Sequence, residues 1–275
     1  MSTLTDEQID RYARHIILKE IGGAGQARLL QSKVLLIGAG GLGSPLALYL
    51  AAAGVGTIGI VDDDVVSLSN LQRQIAHRTA DIGRPKTDSA ADAIAALNPD
   101  VTVRRHPLRL TPENAAAIIA DYDLVADGSD NFATRFLVND VCFFQGIPLV
   151  SAALGQYEGQ LSTYRGFEDD KPCYRCLFPA PPPADLVPSC AEVGILGLIA
   201  GTMACLQGTE IVKELVGFGE RLAGQLLIYD ALEVTFRKVR VRPDPKCRLC
   251  GQKPEITGVV TAEYAPPDSD ACTAE

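Results

Sequence analysis

The sequence predicts an α/β protein: a Rossmann-like, doubly wound sheet, mostly parallel, with antiparallel strands toward the C-terminus and a structural zinc site. Three observations carry that reading. Short apolar runs alternate with helical stretches as far as Val150, the rhythm of parallel strands joined by crossover helices. The string Gly38-x-Gly40-x-x-Gly43 falls between one such run and the helix after it, where backbone amides favour an anionic ligand. Two Cys-x-x-Cys pairs, Cys173/Cys176 and Cys247/Cys250, have the spacing of zinc knuckles.

The elements follow in order. Thr5 and Gln8 have the spacing of a capping box, opening a helix that carries Tyr12 and Arg14 and that Gly22, Gly23 and Gly25 should break. Val34 to Ile37 reads as a buried parallel strand, the glycine loop follows, and a helix runs to Ala53. Thr57 to Val61 is the second strand and ends at Asp62. Pro85 suits the start of a helix that reaches Asn98. Val101 to Val103 is a third strand, a helix opens near Thr111 and Pro112, and Leu124 to Ala126 is a fourth strand. Asn131 to Gln145 is helical, and a fifth strand begins at Leu149. After Ser151, Gln160 to Tyr164 alternates like an antiparallel strand. The proline-rich stretch Phe178 to Ser189 reads as a loop, and an apolar helix follows from Gly194 to Leu215. Leu226 to Tyr229 and Val234 to Val241 read as strands. No linker divides the halves, so residues 1–251 form one domain, with 252–275 as a flexible tail.

At 275 residues the chain can bury a substantial core, and 47% apolar against 21% charged residues is an ordinary globular balance. A net charge of −9 argues against broad contact with nucleic acid or an anionic membrane. The N-terminus is too polar and acidic for a signal peptide, and the run Val193 to Leu206 is too short to span a bilayer. A cytoplasmic protein is expected, in which eight cysteines serve as metal ligands and thiols rather than disulfides. Cys142 and Cys205, on apolar helices, read as packing residues, and His15, His77 and His106 as structural.

The ligand end carries more chemistry than a glycine loop alone. That loop and Asp62, placed to hold ribose hydroxyls, suit a dinucleotide or another nucleotide equally. Arg73 and Lys86 both follow strands on the ligand side, and a triphosphate needs such cations where a dinucleotide needs few. Asp130, just past the fourth strand, reads either as a magnesium ligand or, with Asn131, as a helix cap. The paired Cys-x-x-Cys strings favour one closed tetrahedral zinc site over a redox centre. Cys190, between the proline-rich loop and the apolar helix, is either a reactive or an inert thiol, and Cys272 lies in the tail.

Arg11-Tyr12-x-Arg14, the Gly38–Gly43 loop, Asp62-x-Asp64 with Ser69 to Gln74, Gly83-x-Pro85-Lys86, and Ser129-Asp130-Asn131 with Arg135 stand in one order. In that combination, over about residues 5 to 251, the chain resembles the ThiF/MoeB/HesA family, bacterial relatives of the ubiquitin-activating enzymes. Ser129 departs from the pattern, where Thr is commoner. The resemblance implies ATP-dependent adenylylation of the C-terminal glycine of a small ubiquitin-like sulfur-carrier protein. The small subunit of molybdopterin synthase is the first expectation and the thiamine-pathway carrier the second. It implies an ATP site on Gly41, Asp62, Ser69, Asn70, Leu71, Gln72, Arg73, Gln74, Lys86, Asp130 and Asn131, with Mg2+ on Asp130. It also implies catalytic roles for Arg14, Arg73, Lys86 and Asp130, a covalent link through Cys190, and zinc on the four knuckle cysteines. In the family an arginine like Arg14 reaches into the neighbouring subunit of a homodimer. Sulfur is expected from a separate donor protein. An NAD-dependent dehydrogenase, the competing reading, leaves Arg73, Lys86 and the knuckles without a purpose, and the intact cationic set disfavours a non-catalytic scaffold.

Overall fold

The computed structural model describes residues 4–181 and 194–264. Helix α1, Asp6–Ile16, starts at the capping box: the Gln8 amide donates to the Thr5 hydroxyl and the Thr5 amide to the Gln8 side chain, each at 3.2 Å. The glycines expected only to end it open a second helix, α2, Gly22–Gln31. Gly25 is needed there for packing, since a Cβ would stand 2.8 Å from Val216 Cγ1.

Strand β1, Lys33–Ile37, leads through the glycine loop into α3, Gly43–Ala53, and then β2, Thr57–Val61. Helix α4, Lys86–Leu97, follows Pro85, and β3, Thr102–His106, extends past the expected strand. The helix expected near Thr111 begins later, as α5, Ala115–Ile119, because the Asn114 side chain closes a turn onto the Thr111 amide at 2.9 Å. Then come β4, Leu124–Asp127, α6, Phe132–Gln145, β5, Leu149–Leu154, and β6, Glu158–Tyr164. A short helix α7, Tyr174–Leu177, the long α8, Gly197–Val216, and strands β7, Gln225–Asp230, and β8, Thr235–Arg240, complete the described elements.

All eight strands form one sheet in the order β3-β2-β1-β4-β5-β6-β7-β8. The first five run parallel and β6 to β8 are antiparallel. The strand order reverses between β1 and β4, so their C-terminal ends open a crevice of the kind in which ligands bind. β1 is buried on both faces. Val34 and Leu36 point into a core shared with Leu46 and Leu50 of α3 and Met203 and Ile211 of α8, while Leu35 and Ile37 join Phe136 and Val141 of α6. Cys142 is buried as expected, but Cys205 is exposed: its helix packs through Met203, Ala204 and Gln207, which lie on another side.

Within residues 252–264, read from sequence as the start of a tail and mostly exposed, Ile256 and Tyr264 are buried, and the Tyr264 hydroxyl donates to Asp140 Oδ2 at 2.8 Å. Asp140 is fully buried and also accepts from Arg175, whose Nη2 lies 2.7 Å away. This triad ties α6, α7 and the C-terminal segment together. Apolar strand runs could not announce it, because its partners are far apart in sequence. Tyr264→Phe removes one donor from a buried carboxylate and should cost about 1.5–3 kcal/mol. Denaturant unfolding checks this, and an unchanged midpoint would show that the segment does not hold the triad.

Candidate active site

The crevice is built on the glycine loop. Gly38 has φ +93°, and a Cβ on Gly43 would stand 1.8 Å from the Gly38 carbonyl oxygen. The loop therefore folds back on itself so tightly that only glycine closes it. Helix α3 starts there with no side-chain cap; the Ser44 amide donates to the Gly40 carbonyl at 2.9 Å and Pro45 carries no N–H, which leaves the Gly43 amide at the helix start for an anion.

Asp62 stands at the end of β2. Its Oδ2 accepts from the Ala39 amide of the loop at 2.7 Å, and its Oδ1 from the Asp64 amide at 2.9 Å. Burial pushes the Asp62 carboxyl up, against the pull of Lys86 and these amides. Lys86, buried at the start of α4, holds its Nζ 2.6 Å from Asp64 Oδ2 and 3.9 Å from Asp62 Oδ1. Lys86 thus joins Asp62 beside the loop, as their positions in the sequence suggested. Asp64, the second carboxylate of the Asp62-x-Asp64 motif, is its strongest partner.

Ser67 to Gln74 wrap around the same end. The Ser67 amide donates to Asn70 Oδ1 at 3.1 Å, closing a single helical turn over Leu68–Asn70. Arg73 turns its Nη1 to the Ser69 carbonyl at 3.1 Å, and its stem lies 3.5 Å from the Cβ position of Gly41. Among the described residues, Arg73 has no carboxylate partner. Gln72 packs on α8, where a Cβ on Gly197 would meet the Gln72 carbonyl at 2.4 Å. Gln74 is buried, and its Oε1 has no hydrogen-bond partner among the described residues.

The loop after β4 separates the two readings of Asp130 and Asn131. Asn131 is the cap, its Oδ1 accepting from the Thr134 amide at 2.9 Å. Asp130 is exposed, and among the described residues no hydrogen bond or ion pair occupies its carboxylate. Beneath it lies a buried network that the sequence did not reveal. Asp127 accepts from the Ser129 amide at 3.0 Å, the Ser129 hydroxyl at 2.7 Å, the Ser151 hydroxyl at 2.8 Å and Arg135 Nη1 at 3.3 Å. A carboxylate ending a β4 strand was the available signal, but its partners on α6 and β5 appear only once the sheet is assembled. Next to this network is a cavity of about 210 Å³, lined by Phe132, Arg135, Ser151, Gly155, Tyr164 and Tyr174 among others.

Arg14 lies exposed in the last turn of α1, and among the described residues it makes no hydrogen bond or ion pair. Nothing in the single chain brings it to the Asp62–Lys86 cluster. Cys190 and Cys272 lie outside the described residues. His77 is buried beside the loop, with Nε2 3.0 Å from the Ala39 carbonyl and Nδ1 2.9 Å from Ser89 Oγ, and burial holds its pKa down.

The four knuckle cysteines converge. Their sulfurs lie 3.3 to 3.9 Å apart in the Cys173–Cys176, Cys173–Cys247, Cys173–Cys250 and Cys176–Cys250 pairs. Ligands 2.3 Å from a tetrahedral zinc stand about 3.8 Å from one another, so the donor set fits that metal. The Asp244 amide donates to Cys176 Sγ at 3.4 Å. Purified protein should carry about one zinc per chain, and Cys247→Ser should lose it together with thermal stability. Metal analysis that finds no zinc, with all four thiols alkylated in the native protein, would overturn this assignment.

A glycine turn at the switch point of the sheet, with cations beside it, is the arrangement that recurs in the nucleotide-binding α/β proteins. The ThiF family model matches residues 12–249. The SAMP-activating enzyme E1 of Haloferax volcanii is 51% identical over 250 residues, covering 91% of this chain and 92% of that protein. The sulfur carrier protein adenylyltransferase of Thermus thermophilus is 49% identical, covering 94% of this chain and 97% of its own length. The probable adenylyltransferase/sulfurtransferase MoeZ of Mycobacterium tuberculosis is 51% identical over 95% of this chain, which spans 66% of that longer protein. The crystal structure of E. coli MccB with MccA-N7isoASN shares the fold, with a TM-score of 0.77 at 20% identity over 90% of this chain and 76% of that one. The chain belongs to the ThiF family, and it is an adenylyltransferase. No described helix is long and apolar enough to cross a membrane.

Proposed function

We propose that this enzyme adenylylates the C-terminal glycine of a small ubiquitin-like sulfur-carrier protein. The observation that carries the reading is the pairing of Lys86 with Asp62 and Asp64 beside the glycine loop, together with an Arg73 that no described carboxylate neutralises. The naming of a Thermus relative as a sulfur carrier protein adenylyltransferase supports the choice of substrate. The carrier's terminal carboxylate oxygen attacks the α-phosphorus of ATP. The bond from that phosphorus to the bridging oxygen breaks, and pyrophosphate leaves with the electron pair. Positioning and charge neutralisation supply the catalysis.

Asp62 holds the ribose, and Gly41, Ser69, Asn70, Leu71, Gln72, Gln74 and Asn131 shape the rest of the nucleotide site. Arg73 and Lys86 neutralise the phosphates, Lys86 exchanging its contact with Asp64 for a phosphate oxygen. Asp130, free of capping duty, holds Mg2+, a hard cation that takes carboxylate and phosphate oxygens. The cavity beside Arg135 receives the glycine tail. Cys190 acts after adenylation, since attack on phosphorus needs no thiol. Sulfur comes from a separate donor, the setting is cytoplasmic, and the first candidate carrier is the small subunit of molybdopterin synthase, the thiamine-pathway carrier the second. Hydride transfer to a nicotinamide gives Arg73 and the metal centre no part.

The enzyme acts as a homodimer. Leu198, Gly201 and Cys205 recur at helical spacing on α8, with Leu198 and Cys205 exposed; this apolar, small-residue face meets the second subunit, and a partner's Arg14 enters each site.

Three outcomes test this. Mass spectrometry of candidate carriers incubated with enzyme and ATP should find the acyl-adenylate on one of them, and Arg73→Ala or Lys86→Ala should slow its ATP–pyrophosphate exchange by roughly 10²–10³-fold. Near-normal exchange in both variants removes the phosphate assignment. Mixing an Arg14→Ala chain with a Lys86→Ala chain should restore part of the activity, because the mixed dimer holds one intact site. Failure to complement, with subunit exchange confirmed, would place Arg14 in its own subunit or outside the reaction.

A further inference from the structure

Asp130 is exposed, and among the described residues no side-chain bond holds its carboxylate, yet the residue before it is gripped at three atoms. The Ser129 amide and hydroxyl both donate to Asp127 Oδ1, at 3.0 and 2.7 Å. The Ser129 carbonyl accepts from Arg135 Nη2. The same guanidinium donates to the Ala152 carbonyl at 3.0 Å and to the Ser151 hydroxyl at 3.2 Å, and it pairs with Asp127 Oδ2 at 3.3 Å. Arg135 and Asp127 are both buried, 8% and 1% exposed, so neither is screened by water. Gln207 closes the underside, donating to the Asp127 and Val150 carbonyls at 2.9 Å each.

We infer that Arg135 is a positioning residue that sets the Asp130 loop for a divalent cation and locks it to the floor of the neighbouring cavity. Four of its five N–H directions are spent on protein acceptors, which suits it to hold rather than to bind. Its Nη2 bridges the Ser129 carbonyl, next to Asp130, and the Ala152 carbonyl, while its Nη1 holds Asp127 and Ser151; Ser151 and Ala152 line the cavity. A single rigid fork thus spans the metal loop and the cavity wall, and a flexible ammonium at this position reaches only part of the acceptor set. The inference rests on the nucleotide reading above for the identity of the ligand, Mg2+ with ATP, but the clamp is a property of the free protein.

The test uses the full chain with Arg135→Lys and, because a buried pair is altered there, Ser129→Ala as a milder variant that keeps the ion pair. In the free protein, amide hydrogen exchange over residues 128–131 should speed by about ten-fold or more in both Arg135→Lys and Ser129→Ala, the scale of one lost bond to a charged group. By calorimetry, ATP should bind each variant within about two-fold of wild type without Mg2+, while the tightening that Mg2+ brings should shrink by about ten-fold in Arg135→Lys. A merely structural role would weaken both measurements alike. Unchanged exchange over 128–131 in a folded variant, or an undiminished effect of Mg2+, overturns the inference. Should Arg135→Lys fail to fold, Ser129→Ala decides by the same criteria. Wild-type protein that binds no ATP overturns the nucleotide reading instead, and the exchange measurement still decides the clamp.

Discussion

The contact between Gly43 and the Gly38 carbonyl constrains everything around it. With no room for a Cβ, the chain turns from β1 into α3 within a few residues, and α3 starts at the crevice. Every other ligand-side group is arranged around that turn. Asp62 bonds to the Ala39 amide, His77 to the Ala39 carbonyl, and Arg73 lies along Gly41. A side chain at Gly43 would separate β1 from α3 and scatter all three.

Buried cations mark where the fold accepts a desolvation cost. Lys86, Arg135 and Arg175 are each nearly inaccessible, and each has a carboxylate: Asp64 with Asp62, Asp127, and Asp140. Such pairs seldom stabilise a protein more than well-packed apolar residues would. Here each joins elements that packing alone would leave free to shift. Arg135 joins the loop after β4 to β5, Arg175 joins α7 to α6, and Lys86 joins the start of α4 to the end of β2.

The antiparallel half solves a different problem. The strands β6 to β8 widen the sheet, and β8 is exposed along its whole length. Near the knuckles the buried cluster is small: Leu249 and Ile256 with the cysteines. A tetrahedral metal on the four thiols would supply there the cross-link that so few apolar side chains cannot. Tyr264 and Arg175 carry the connection on to α6, so the cysteine cluster and the sheet become one body.

What could be read from the chain itself was whatever depends on local spacing. The glycine string, the period of β1 and β2, the capping box at Thr5 and the Cys-x-x-Cys pairs each express a short-range rule, and the elements stand where those rules put them. The sequence reading failed where a residue's meaning depends on what arrives from far away. Gly22 and Gly25 open a helix rather than only ending one, because α2 packs against Val216. Cys205 is exposed, because the rotation of α8 about its axis is set by its contacts with the sheet. Asp127 and Ser151 belong to two strands that meet only when β4 pairs with β5, and Arg135 reaches both from a third element. Periodicity along one chain records which face is apolar. Which charges share a buried pocket is decided only when the strands take their places side by side.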